Sequence, residues 1–198
     1  MTMPKTLLEM AGAPKLPLTW AASALVLVDH QQEYTIGKLP LVGIDAAVAE
    51  LTRLIQAARA AGAPVVHVRH QGRAGGVFDL DAPGGQYIPG LEALPGEAVV
   101  SKGLPNGFAN TNLKDVLTAS GRKEIIVGGF ATHMCISATV RSAVDNGFRV
   151  GLVANACATR DLPDPLGGIQ TAQQVHRATL AALNDRFATV VAEASAIQ

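Results

Sequence analysis

The sequence predicts an α/β protein with a three-layer α/β/α Rossmann-like fold around a mostly parallel six-stranded sheet. Short apolar runs alternate along the chain with longer segments of helical periodicity, and glycines close three of these segments. Such alternation is typical of βαβ units, in which helices cover both faces of a parallel sheet. The 198 residues are 48% hydrophobic and 16% charged, which provides enough apolar surface for one folded domain and excludes general disorder.

Six short apolar runs are predicted to be the strands. The first of them is apolar at every position, as expected for a parallel strand that is covered on both faces. The predicted strands are residues 24–28, 64–70, 98–100, 124–127, 148–154 and 187–192. Helical spacing is found in four longer segments, and a glycine, the usual residue after a helix, directly follows the first three. These segments are residues 44–61, 111–120, 132–146 and 168–184.

Two segments fall outside this alternation. Residues 1–20 are predicted to be an N-terminal arm ahead of a single domain of residues 21–198, and Pro14 and Pro17 stop any helical turn within the arm. Residues 71–96 are rich in Gly, Pro and Asp and are predicted to be a long loop. Because loops of this length usually carry function, we expect this one to shape substrate specificity.

The charge balance and the cysteines limit the class of protein further. Sixteen basic residues balance sixteen acidic ones, whereas a nucleic-acid binder needs excess positive charge on one face. No apolar run has the roughly 18 residues of a membrane span, and the first residues do not resemble a signal peptide. We therefore expect a cytoplasmic protein with no nucleic-acid or membrane partner. In that compartment Cys135 and Cys157 are expected to be free thiols.

Three chemically different groups are predicted to meet at the carboxyl ends of the strands, where open α/β sheets bind ligands. They are the carboxylate of Asp29, the ammonium of Lys102 and the thiol of Cys135. Cys135 lies near the start of a predicted helix, and both this helix and Lys102 are expected to lower the pKa of the thiol. Asp29 would act as base and acid, while the backbone N–H groups of Ala131 and Cys135 would bind an oxyanion.

Each of these residues also has a structural interpretation. A cysteine in a helix is often a small core residue, an aspartate at the end of a strand often caps a helix, and a single lysine in a loop is often solvated. In addition, Lys102 follows a strand at the predicted edge of the sheet, so its side chain would have to reach inward.

Three segments resemble the signature segments of the isochorismatase-like cysteine hydrolases. They read LVLVDHQ at residues 25–31, VSKG at residues 100–103 and GGFATHMCI at residues 128–136. Their order and separation fit that family, and the resemblance extends over about residues 20 to 192. It implies that Cys135 is the nucleophile, Asp29 the general base and Lys102 the residue that holds both. It also implies a cis peptide bond between Phe130 and Ala131, and hydrolysis of a small amide or related C–N bond through a thioester.

The resemblance also bears on rival functions and on cofactors. The members that cleave a vinyl ether typically carry another residue at the position of Cys135, so its presence favours amide chemistry. The metal-binding members have an Asp-x-His pair, which this sequence lacks, and His67 and His70 are expected to point to opposite faces of a strand. We therefore expect no metal and no cofactor. A vinyl-ether hydrolase and a non-catalytic small-molecule-binding protein remain the alternatives.

Several further side chains are candidates for contact with a small-molecule substrate, with packing as the alternative for each. They are Gln31, His70, Phe78, Tyr87, Phe108 and His133. The three aromatic residues among them are expected to form an apolar wall around a small acyl group. The apolar content of the chain also leads us to expect a homo-oligomer, a dimer or a tetramer.

Overall fold

A single parallel sheet organises the computed structural model, which describes residues 3–14 and 17–198. The six strands are β1 (Ser23–Val28), β2 (Val65–His70), β3 (Ala98–Lys102), β4 (Glu124–Phe130), β5 (Arg149–Ala158) and β8 (Thr189–Val191). All neighbouring strands of the sheet are parallel, and their spatial order is β3-β2-β1-β4-β5-β8. The predicted six-stranded parallel sheet is confirmed, and every predicted strand is present.

Helices cover both faces of the sheet, which confirms the three layers. The helices are α1 (Leu7–Met10), α2 (Ile44–Ala60), α3 (Leu113–Ala119), α4 (Ser137–Asp145) and α5 (Ala172–Arg186). Alternate residues of β1 belong to different cores: Leu25 packs with α2, whereas Val26 packs with α3, α4 and α5. In the described part of the chain, no helix has both the length and the apolar character needed to cross a membrane.

The chain departs from the predicted elements after β4 and after β5. The segment predicted as one helix over residues 132–146 begins as a π-helical turn, Thr132–Ile136, and continues as α4. The helix predicted from residue 168 instead begins at Ala172, because Thr171 and Gln174 form a capping box there. The residues ahead of it form a small antiparallel pair that the sequence pattern did not indicate, β6 (Leu162–Pro163) with β7 (Ile169–Gln170).

The predicted N-terminal arm lies against the domain. The backbone N–H of Leu7, the first residue of α1, donates to Asp185 of α5 at 2.8 Å. Trp20 is buried in the core, and its N–H donates to the carbonyl of Gln198 at 2.8 Å. The N–H of Gln198 in turn donates to Leu18, which is also a core residue, at 2.9 Å. The predicted boundary at residue 20 therefore falls within a packed segment.

The long loop over residues 71–96 is fixed to the end of β1 by a buried carboxylate. Glu33 accepts hydrogen bonds from the N–H of Lys38 at 2.6 Å and from the N–H of Phe78, in the loop, at 3.3 Å. The N–H of Gln32 donates to the carbonyl of Gln86, also in the loop, at 2.8 Å. This segment therefore lies at the same edge of the sheet as the residues that follow β1.

A chain of hydrogen bonds links the end of β1 to α2 through two buried histidines. The rings of His30 and His67 are 2.9 Å apart between Nε2 and Nδ1, and Nε2 of His67 is 2.8 Å from Glu97. Arg59 of α2 donates to both oxygens of that carboxylate, at 2.8 and 2.9 Å. Partial burial alone would raise the pKa of Glu97, but hydrogen bonds from Arg59, the Leu94 amide and His67 lower it to about 2. Nothing in the sequence pattern indicated this network.

Burial makes the stability of the protein dependent on pH. It lowers the pKa of all five histidines below the ordinary value of 6.5, so the unfolded chain binds more protons than the folded chain as the pH falls through that value. We expect the free energy of unfolding, from urea titrations, to decrease below about pH 6.5. The slope should approach about 1.4 kcal/mol per pH unit for each of the buried His30 and His67, and solvent screening should make the contribution of the three half-buried histidines smaller. The slope should be smaller in His30→Phe, and a pH-independent stability in the unmodified protein would contradict this account.

Candidate active site

The carboxyl ends of three strands bring the three predicted catalytic side chains together. Asp29 directly follows β1, Lys102 is the last residue of β3, and Cys135 lies in the π-helical turn after β4. The ammonium Nζ of Lys102 is 2.7 Å from Oδ2 of Asp29 and 3.4 Å from Sγ of Cys135. Although β3 is the edge strand, the long Lys102 side chain reaches across β2 to Asp29, and both of these side chains are fully buried.

The turn that follows β1 is closed by local hydrogen bonds. Asp29 has a φ of +49°, in the left-handed region that short polar residues such as aspartate tolerate. Its N–H donates to Val68 of β2 at 2.8 Å, and its carbonyl accepts from the N–H of Gln31, also at 2.8 Å. The Gln31 side chain then bonds both the N–H and the carbonyl of His70, at 2.8 and 3.0 Å. The end of β1 is thereby tied to the end of β2.

The Lys102 ammonium contacts three acceptors, of which His70 is the third. Its Nζ lies 3.1 Å from Nδ1 of His70, in addition to its contacts with Asp29 and Cys135. Asp29, His70 and Cys135 each offer one atom that could bind a metal ion, and these three atoms lie within 4.8 Å of one another, which is the spacing of a small cation site. Because the ammonium already contacts all three, this donor set does not fit a metal ion.

The electrostatics of the site differ from the sequence-based expectation for the thiol. Cys135 is only 5% exposed, and its burial together with the nearby Asp29 carboxylate raises the pKa of the thiol to about 12. The ammonium of Lys102 lowers the pKa of the thiol, but by less than burial and Asp29 raise it. Burial also raises the pKa of Asp29, an effect that Lys102 partly opposes. The expected low thiol pKa was therefore wrong for the free protein, and the resting site contains a neutral thiol beside an ammonium and a carboxylate.

The peptide bond between Phe130 and Ala131 is cis, at the position that the resemblance implies. It lies directly ahead of the turn that carries Cys135, and the carbonyl of Ala131 accepts hydrogen bonds from Met134 and Ile136 at 3.0 and 3.3 Å. The N–H groups of Ala131 and Cys135 belong to this same turn. Their action as an oxyanion hole stays a prediction.

Of the three clustered residues, Lys102 lines a cleft of about 450 Å³. His70 is the one predicted substrate contact among its described lining residues, which are His70, Gln71, Gly72, Arg73, Ser101, Lys102 and Gly103. A larger cavity of about 560 Å³ lies beside the end of β5 and α5, lined in part by Cys157 and His176, but none of the triad residues borders it. Of these two, only the smaller cleft is bordered by a residue of the predicted triad, namely Lys102.

The other predicted substrate contacts have partners within the protein. The amide of Gln31 is buried and bonds only backbone groups in the described part of the chain, including Gly85 at 2.8 Å, which favours a structural role. Nδ1 of His133 is 2.5 Å from the hydroxyl of Thr159.

The predicted aromatic wall is divided, because in the described residues its three rings do not contact one another. Phe78 packs on Tyr34 and His70, Tyr87 stacks on His30, and Phe108 packs near Phe148. Contact of any of them with substrate stays a prediction.

Sequence reasoning missed the polar residues of the cleft other than His70 and Lys102. Gln71 and Arg73 belong to the loop over residues 71–96, which was expected to shape specificity, but nothing in the pattern distinguished them from their neighbours. Ser101 lines the cleft and accepts a hydrogen bond from Arg69 at 3.1 Å. The position of Ser101 beside Lys102, at the end of a strand, could have indicated that it lines the cleft.

Comparison with known proteins places the chain among isochorismatase-family proteins. Residues 23–195 match the family model of the isochorismatase domain. The chain is 37% identical to the secreted isochorismatase effector Isc1 of Verticillium dahliae, over 92% of this chain and 94% of that protein. It is 31% identical to maleamate amidohydrolase of Pseudomonas putida, over 88% of this chain and 85% of that protein.

A solved structure is similar over nearly the whole chain. The crystal structure of an isochorismatase from Pseudomonas putida superposes with a TM-score of 0.94 at 43% sequence identity, covering 99% of this chain and 100% of that one. The family model spans the three segments that carry Asp29, Lys102 and Cys135, and the superposition extends to all strands that position them. The chain therefore belongs to the isochorismatase family and is a hydrolase of that family.

Proposed function

We propose that the protein hydrolyses a small-molecule amide, or a related C–N bond, through a thioester on Cys135. The observation that carries this proposal is the contact of one ammonium, that of Lys102, with both a buried carboxylate and a buried thiol, at 2.7 and 3.4 Å. A nucleophile, a base and a cation in such a cluster are the elements of acyl transfer. The similarity to a maleamate amidohydrolase supports amide chemistry.

In the first half of the reaction, Asp29 takes the thiol proton while sulfur attacks the carbonyl carbon. Oδ1 of Asp29 is buried and has no hydrogen-bond partner in the described residues, so it is the oxygen available for that proton. Because the resting thiol has a pKa of about 12, proton transfer accompanies the attack. Asp29 then protonates the nitrogen, the C–N bond breaks, and ammonia or an amine leaves a thioester on Cys135.

In the second half, water replaces the amine. Water attacks the thioester carbon and gives a proton to Asp29, the C–S bond breaks, and sulfur regains that proton from Asp29. The sum is amide plus water to carboxylic acid plus amine, with the thiol and the carboxylate restored. Lys102 stays bound to both groups and stabilises the negative charge that moves between them.

Vinyl-ether hydrolysis is the second candidate, and the similarity to a protein described as an isochorismatase favours it. That reaction does not form a thioester, so the two candidates differ in their need for Cys135. A substrate panel of small amides and vinyl ethers therefore separates them when the wild-type protein is compared with a variant that lacks the thiol.

Substitution of the two cysteines tests the nucleophile. We expect Cys135→Ser to lower amide hydrolysis by at least about 1,000-fold, because the hydroxyl is a far weaker nucleophile beside the same base. Cys157→Ala is the matched control, since this second buried thiol lies outside the triad, and it should retain activity within about fivefold. Acid quenching followed by mass spectrometry should find the acyl group on Cys135. Hydrolysis that survives Cys135→Ser would exclude the thioester route.

The alkylation rate of Cys135 tests the state of the thiol. Because its pKa is about 12, labelling by iodoacetamide should keep increasing up to pH 10 without a plateau. Asp29→Asn removes a charge that raises this pKa and should therefore accelerate labelling at pH 8. Mass spectrometry reads Cys135 and Cys157 separately. A plateau below pH 8 in the wild-type protein would show a preformed thiolate and contradict the concerted first step.

The acid limb of the pH–rate profile tests the base. Asp29 must be ionised to accept the proton, and burial raises its pKa above the ordinary value of 3.8. The value of kcat/KM should therefore decline with falling pH around a midpoint above 3.8, while circular dichroism shows that the protein is still folded. A limb centred at or below 3.8 would be inconsistent with Asp29 as the base.

A further inference from the structure

The Lys102 ammonium is buried, and its hydrogen bonds are all made to protein groups. Its side chain is fully buried, and its three contacts are Asp29 at 2.7 Å, His70 at 3.1 Å and Cys135 at 3.4 Å. An ammonium has three N–H donors and no acceptor. The three contacts therefore use all of its donors, and no donor is left for substrate or water.

The hydrogen bonds of the ammonium determine which ring nitrogen of His70 carries the proton. Because the ammonium can only donate, Nδ1 of His70 must be an unprotonated acceptor, and the ring proton is on Nε2. Burial and the adjacent Lys102 lower the pKa of His70, while Asp29 acts weakly in the opposite direction, so the ring is neutral at pH 7. A protonated ring would place two cations against each other.

The ring of His70 is held from several sides. His70 is the last residue of β2 and lies directly opposite Lys102 in the register of β2 with β3. The Gln31 amide binds its N–H and its carbonyl, and the ring of Phe78 packs against the imidazole with centroids 5.0 Å apart. Phe78 is in turn bound through its N–H to the buried Glu33. The predicted substrate contact is thus a constrained side chain.

We propose that His70 is a positioning residue, whose Nδ1 is the third acceptor that holds the Lys102 ammonium between Asp29 and Cys135. Without that acceptor, one N–H of a fully buried ammonium has no partner, which is costly. The ammonium has no exposed surface, so we expect it to shift toward another acceptor and away from the thiol. The inference rests on the proposed function in one respect, namely that Lys102 supports the attack by Cys135.

An isosteric pair of variants tests this role. His70→Asn places an amide oxygen where Nδ1 stands. The leucine of His70→Leu has the same branched shape as asparagine but no acceptor. We expect His70→Leu to lower kcat for the amide substrate by about 10- to 100-fold, the effect of one hydrogen bond to a charged group, with KM within about threefold. His70→Asn should remain within about fivefold of wild type. Equal losses in both variants, or none in His70→Leu, would overturn the proposal.

Alkylation of Cys135 gives a readout that needs no substrate. Since Lys102 lowers the pKa of the thiol, its displacement in His70→Leu should slow labelling by iodoacetamide at pH 8 several-fold, and His70→Asn should restore the rate. In a Lys102→Met background the two His70 variants should label equally. A difference that persists without Lys102 would overturn the proposal, because His70 would then act on the thiol by another route.

These measurements separate the positioning role from the proposed reaction. If no amide is hydrolysed but the labelling difference is found, the proposed function fails and the role of His70 holds. If amides are hydrolysed and the two variants behave alike, the role of His70 fails and the reaction holds.

Thermal unfolding followed by circular dichroism checks that each variant is folded. Should His70→Leu fail to fold, His70→Gln, whose amide lies one methylene further out, is expected to show the same loss.

Discussion

The contact between the Lys102 ammonium and the Asp29 carboxylate is the constraint on which the site depends. Both side chains are fully buried, and an unpaired charge in such a place would be strongly destabilising. The pair therefore needs close contact and additional hydrogen bonds, which the ammonium donates to Cys135 and His70. The thiol of Cys135, the proposed nucleophile, thus lies where the buried ammonium already requires an acceptor, so that one arrangement both pairs the charge and positions the thiol.

Two physical effects compete at Cys135, and their sizes decide the outcome. A charge at a helix terminus is stabilised by at most about 2 kcal/mol, or about 1.5 pKa units, and less where the dipole is poorly aligned. Burial of an ionisable group shifts its pKa by up to about 3–5 units. Cys135 is buried beside a carboxylate and lies in a π-helical turn, so burial prevails and the thiol is protonated. Sequence reasoning weighed the helix and the lysine and had no measure of burial.

The parts of the fold that depend on local pattern could be predicted from the sequence, and those that depend on register could not. The apolar run before Asp29 and the glycines after three helices are local signals, so the sheet, the layers and the strand ends that carry Asp29, Lys102 and Cys135 followed from them. The contact of His70 with Lys102 depends on the alignment of β2 with β3. The pairing of β5 with β4 continues to Ala158 past a register shift between Val127 and Gly129 of β4. Neither alignment is encoded in the residues of one strand.

The charge balance of the resting site follows from these contacts and bears on how the reaction begins. The ammonium and the carboxylate cancel, the thiol is protonated, and burial keeps His70 and His30 neutral at pH 7. A substrate carbonyl entering the cleft therefore meets a charge-balanced cluster and no free thiolate. Negative charge appears at the carbonyl oxygen only during attack, when the thiol proton neutralises Asp29 and leaves the ammonium without its counter-ion. In the proposed reaction the ammonium keeps its three contacts and acts through space on the charge that has moved to the substrate, so its stabilising effect is greater in the transition state than in the resting protein.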